Sequence, residues 1–219
     1  DDAVQEEAVE TLADALTVLV FGDFMASGLA EALTDDYAQS DDVSVVDATN
    51  GSSGLVRSDF YDWPKEIGGI LDGARPAVVV MMIGANDRQP LTLGAETVEP
   101  LAPRWREAYA ARIEAIAAAF KEKGIPFILV GLPVMKAERF SADMEQINEI
   151  VGNEAGKTGA AFVDIWDKFA DEHGQYSAFG PDVNGEIVKL RSADGVHFTD
   201  AGARKLAHFV EGEIKHAYD

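Results

Sequence analysis

A carboxylate three residues before a histidine, in Asp194-Gly195-Val196-His197-Phe198-Thr199, is material for a general base. Imidazole takes up a proton near neutral pH, and a carboxylate on its second nitrogen fixes the tautomer and steadies the imidazolium. A tight turn held open by Gly195 lets one loop supply both groups. Short Asp-x-x-His matches also arise by chance in surface loops. Here the pair stands just before a terminal helix for which Thr199 is a fitting N-cap, and three other segments accompany it. Gly22-Asp23-Phe24, Asn50-Gly51-Ser52-Ser53-Gly54 and Ile83-Gly84-Ala85-Asn86-Asp87 each follow an apolar run. His173, His208 and His216 have no such company and read as structural or solvated.

These segments need a frame that brings them together. Apolar runs at Thr17–Phe21, Val43–Val46, Ala77–Ile83, Pro126–Leu132 and Ala161–Ile165 alternate with helical patterns. Runs of this near-continuous kind fit strands buried on both faces of a parallel sheet. Trp105, Tyr109, Ile113, Ile116 and Phe120 form one helical stripe, which Gly124 and Pro126 stop. Met144, Ile147 and Val151 mark a second helix, and Leu206, Phe209, Val210 and Ile214 the last. The alternation predicts an α/β fold, a three-layer α/β/α sandwich with a central parallel sheet of about five strands. In such a sheet the site lies outside the carboxyl ends of the strands. Residues 1–16, with Val4, Ala8, Leu12 and Leu16 at helical spacing, read as a lead-in helix or tail, and 17–219 as one domain. The insertion Tyr176–Ala193, with a hairpin turn at Asn184-Gly185, is a candidate wall or lid.

Composition narrows the partners. Eighteen basic against 39 acidic side chains give a formal net charge of −21, which opposes nucleic acid and anionic membrane surfaces. Solubility is the simpler meaning of that charge. No run reaches the roughly 20 apolar residues of a membrane span. Absence of a starting Met and of a basic-apolar leader reads as a processed or trimmed chain. With no cysteine, thiol catalysis and disulfides are excluded. No phosphate loop, dinucleotide signature or metal-ligand spacing is present, so no cofactor and no metal are expected.

The four segments, in this order, resemble the four blocks of the SGNH/GDSL hydrolase superfamily. Over roughly residues 17–215 the chain looks like a branch of periplasmic proteins that carries Gly-Asp-Phe. Asn50-Gly51-Ser52-Ser53-Gly54-Leu55-Val56-Arg57 and Gly84-Ala85-Asn86-Asp87-Arg88-Gln89 carry the likeness. The resemblance implies a flavodoxin-like SGNH fold, a periplasmic or secreted location, and an ester substrate on a small molecule or glycan. It also implies that Gly54 N–H and the Asn86 amide face a developing oxyanion, with His197 and Asp194 as base and orienter. The first block departs from the pattern, because Phe24 stands where the nucleophilic serine belongs and a phenyl ring cannot be acylated.

Three routes stay open. Ser52 or Ser53, just before Gly54, supplies the hydroxyl; His197 activates water directly; or the site is a binding module with Phe24 lining the old pocket. Ser27, one helical turn past Phe24, points away from the histidine on this reading. Asp23 and Phe24 are candidate substrate contacts. Arg57, Arg88 and Arg191, each beside a block, either hold an anionic substrate group or pair with Asp59, Asp87 and Asp194. Tyr61 and Trp63 are candidates to stack on a sugar ring, with core packing as good a use of Trp63.

Overall fold

A computed structural model describes residues 15–218 of the chain. The first half runs β1 (Leu16–Gly22), α1 (Phe24–Asp36), β2 (Val43–Asp47), α2 (Trp63–Ala74), β3 (Val78–Met82), β4 (Leu91–Leu93) and β5 (Glu96–Val98). There follow α3 (Pro103–Glu122), β6 (Phe127–Val130), α4 (Glu138–Thr158), β7 (Ala161–Val163) and α5 (Trp166–Phe169). The chain closes with β8 (Phe179–Pro181), β9 (Ile187–Lys189) and α6 (Asp200–Tyr218). Five strands form a parallel sheet in the order β2-β1-β3-β6-β7. The two central strands explain the apolar runs: Val18–Phe21 and all of β3 are buried. Helices α1 and α6 pack together, while α3 contacts both α2 and α4, so helices cover the sheet in two layers. Trp105, Tyr109, Ile113, Ile116 and Phe120 are all fully buried, as their spacing predicts.

Strand order places β2 and β3 on opposite sides of β1. The chain therefore diverges at the carboxyl ends of β1 and β3, the switch point at which open α/β sheets form a crevice. Loops after β1, β2 and β3 all open onto it. Gly22 makes the crossing possible. Its φ is +138°, and a Cβ there would lie 1.9 Å from the Met82 carbonyl oxygen.

Several elements were not legible in the apolar pattern. Helix α2 buries only Trp63, Ile67 and Leu71, and three glycines dilute its stripe. The β4–β5 ribbon is an antiparallel pair turning at Gly94, with φ +62°. The Asn184-Gly185 hairpin is present as β8–β9, with Gly185 at φ +83°. Of the expected lead-in helix, residues 1–14 lie outside the described residues, and Leu16 opens β1.

Candidate active site

Two buried carboxylates build the floor. Asp23 caps α1 by accepting from Met25 N at 2.9 Å, and its other oxygen accepts from Gly84 N and Ala85 N, both at 2.9 Å. It thereby clamps the end of β1 to the loop after β3. Burial pushes its carboxyl up to about 7, against the pull of the Met25 and Gly84 N–H groups, and the nearby Asp87 adds to the rise. Asp87 accepts from Leu55 N and Val56 N at 3.0 Å each and from Tyr109 Oη at 2.8 Å. Burial raises its carboxyl as well. Arg112 completes this corner by donating to the carbonyls of Leu55 and Val56. A Cβ at Gly54 would sit 2.1 Å from Asp87 Oδ1, so only glycine lets the second-block loop lie on that carboxylate.

The wall is Phe24, the first residue of α1. Its half-buried ring lies with its centroid 4.6 Å from that of the His197 imidazole, tilted by 35°. A Cβ on Gly51 would come within 3.7 Å of Phe24 Cβ. Asn86 Nδ2 donates to Gly51 O at 2.9 Å and to Ser53 O at 2.8 Å. His197, Phe24, Gly51 and Asn86 thus form one chain of contacts across the crevice.

The dyad is formed. Asp194 Oδ2 lies 2.6 Å from His197 Nδ1, and both side chains are about half exposed. Asp194 Oδ1 also accepts from Val196 N at 2.9 Å and His197 N at 3.1 Å. The Val196 N–H, followed by the His197 ring, holds the Asp194 carboxyl below the usual range. Gly195, at φ +73°, packs on Lys136, whose N–H donates to Gly195 O at 3.1 Å. Thr199 Oγ1 accepts from Gly202 N at 3.1 Å, the N-cap expected for α6.

Arg191 is what secures this loop. It is 0% exposed, and its guanidinium donates to Val134 O at 2.6 Å and Val196 O at 2.8 Å. The rings of Tyr176 and Phe198 lie 5.3 and 5.1 Å from it. Burial lowers its pKa to about 10. It joins the loop after β6 to the residue preceding His197.

Several expectations are corrected. Asp23 is buried under backbone donors and reaches no substrate. Arg191 pairs with carbonyls rather than with Asp194 or a ligand. Arg57 is exposed and pairs with Asp59 at 2.7 Å, the alternative expected for it, whereas Arg88 pairs with Asp143 at 2.7 Å rather than with Asp87. Ser53 is buried, donating to Gly22 O at 3.3 Å and accepting from Trp63 Nε1 at 3.0 Å, which removes it as a nucleophile. Trp63 is itself core, 1% exposed. Ser27 bonds Thr49 Oγ1 at 2.8 Å, in keeping with its expected orientation. Ser52 remains exposed. Both amide hydrogens of Asn86 are engaged, so Asn86 braces the second-block loop. Sequence reasoning missed the first-turn N–H of Phe24, which, like Gly54 N–H, has no hydrogen-bond partner among the described residues. Orphan donors at a helix start are the signal that would have found it. Among the described residues no cluster of metal-ligating side chains occurs. A cavity of about 180 Å³ opens beside Phe24 and His197, between α1 and α6.

Solved structures share this arrangement of elements. An acetyl xylan esterase, AlAXEase, superposes with a TM-score of 0.66 at 16% identity, covering 91% of this chain and 100% of that one. A GDSL-like lipase from Bacteroides thetaiotaomicron gives 0.63 at 17% identity, with 97% of each chain covered. A catalytic mutant of the acetylxylan esterase Axe2 from Geobacillus stearothermophilus gives 0.63 at 20% identity, covering 91% and 94%. The fold is that of the SGNH/GDSL hydrolases. Residues 17–213 match the family described as "Protein of unknown function (DUF459)", and the chain belongs to that family. No curated protein matches it.

Proposed function

We propose that the protein cleaves or transfers an acyl ester, on a small molecule or a glycan outside the cytoplasm, with the Asp194–His197 dyad activating the attacking oxygen directly. The observation that carries this reading is the 2.6 Å Asp194–His197 contact on a half-exposed imidazole. A base has to be open to its substrate, and about half of this side chain faces solvent. Phe24 closes the acyl-enzyme route at its position, Ser53 is buried, and Ser27 is engaged. Water, or an acceptor hydroxyl, then attacks the acyl carbon as His197 Nε2 takes its proton. Charge builds on the carbonyl oxygen, for which the free donors are the Phe24 N–H at the start of α1 and the Gly54 N–H in the loop after β2. Collapse breaks the ester C–O bond, and the imidazolium returns the proton to the departing alkoxide. The products are one alcohol and one acid, or the acylated acceptor.

The experiment is turnover of p-nitrophenyl acetate by the wild type, His197→Ala and Ser52→Ala. Loss of about 10²–10⁴-fold in His197→Ala, with Ser52→Ala unchanged, is the expected pattern. Abolition by Ser52→Ala would move the nucleophile to that hydroxyl. One observation favours a second reading: the Phe24 ring rests on the imidazole, as it would in a binding protein that no longer turns over its ligand. A folded wild type inert toward every ester offered would establish that reading instead.

A further inference from the structure

Gly28 sits in the middle of α1, where glycine weakens a helix relative to alanine. Packing does not call for it, because a Cβ built there meets nothing within 4 Å. What glycine preserves at this position is space. That space is the cavity of about 180 Å³ between α1 and α6, which begins at Phe24 and His197. Small side chains keep it open from both helices, Gly28 and Ala32 from α1 and Ala203 from α6. Met25 and Phe198 add apolar surface. The lining also carries Glu31, Asp35 and Asp200 against a single guanidinium, Arg204. An acyl chain ending in a carboxylate would meet like charge there.

We propose that this groove is the acyl-chain subsite of the reaction described above, and that it selects an uncharged, straight acyl chain of a few carbons. The inference rests on that reading for its chemistry, since the carbonyl must stand at His197 for the chain to enter between the helices. Methylene groups gain by leaving water for the apolar floor. The available volume limits their number, and Phe24 forms the wall past which the chain runs.

Gly28→Leu fills the groove one helical turn past Phe24 and leaves the dyad and the oxyanion donors as they are. Gly156→Leu, at an exposed helical glycine with equally open surroundings, is the control for the substitution itself. Turnover is read with p-nitrophenyl acetate and p-nitrophenyl hexanoate. Binding is read separately, by amide chemical shifts on titration with hexanamide, which is not an ester. In Gly28→Leu, the ratio of kcat/KM for the hexanoate to that for the acetate is expected to fall at least about tenfold from its wild-type value. Gly156→Leu should match the wild type on both. Hexanamide should shift the amides of Gly28 and Ala203 in the wild type and not in Gly28→Leu. If esters are hydrolysed and Gly28→Leu treats both chain lengths as the wild type does, the subsite is wrong and the esterase reading stands. If no ester is hydrolysed but hexanamide shifts Gly28 and Ala203, the groove stands and the reaction does not. A wild type without those shifts and without a chain-length effect of Gly28→Leu overturns the groove.

Discussion

Three side chains near the dyad hold positions whose chemistry differs from what their types suggest. Arg191 is the clearest. Its charge is spent on two carbonyls, one of them Val196 O, immediately before the histidine. Arg191→Met leaves those acceptors without their donor, at a cost of about 1–3 kcal/mol each. It should lower kcat more than it raises KM, because the imidazole loses its fixed placement; steady-state kinetics beside thermal melts separates this from simple unfolding. Asp23 offers a pH signature. Its folded pKa is raised to about 7 from 3.8, so the folded state keeps the proton over a range where the unfolded chain has lost it. That contribution is complete below about 3.8 and fades as pH rises through 7. Melting curves of the wild type and Asp23→Asn, compared between these limits, should show the wild type's stability falling relative to the variant as pH rises. A constant gap between the two curves would contradict the protonated carboxyl. Phe24→Ser places a hydroxyl at the start of α1, beside His197, and should raise p-nitrophenyl acetate turnover through an acylated intermediate visible by mass spectrometry.

At the scale of elements, the site is a set of loop ends tied by buried carboxylates. Asp23 joins the loops after β1 and β3, and Asp87 joins those after β2 and β3. Gly54→Ala drives a methyl group into Asp87 and should destabilise the fold by about 1–3 kcal/mol, measured by chemical denaturation. Much of this frame was legible in the apolar runs, because strands buried on both faces leave no polar alternation to misread. The Asp194–His197 turn was legible too, since the three-residue spacing brings both groups into one loop, but its anchor Arg191 was not. Burial of Ser53 was not, because it depends on Trp63 arriving from the next helix. Nor was the fate of the arginines: Asp143, which binds Arg88, is 55 residues away in sequence. Local pattern reports which loops carry polar groups, whereas the partner each group finds is fixed by tertiary packing.

The whole molecule carries a formal charge of −21, and this bears on the substrate it meets. A field of that sign slows the approach of anions and is screened by salt. For a matched pair of esters, one neutral and one carboxylate-bearing, kcat/KM should favour the neutral ester at low ionic strength. The gap should narrow as salt is added. No helix among the described residues is long and apolar enough to cross a membrane. Direct attack and acyl-enzyme formation are separated by the intact mass of the enzyme quenched during ester turnover. If His197 activates the attacking oxygen itself, product accumulates while the protein mass stays unchanged. An added acyl mass on the protein, at Ser52 or any other hydroxyl, would contradict it.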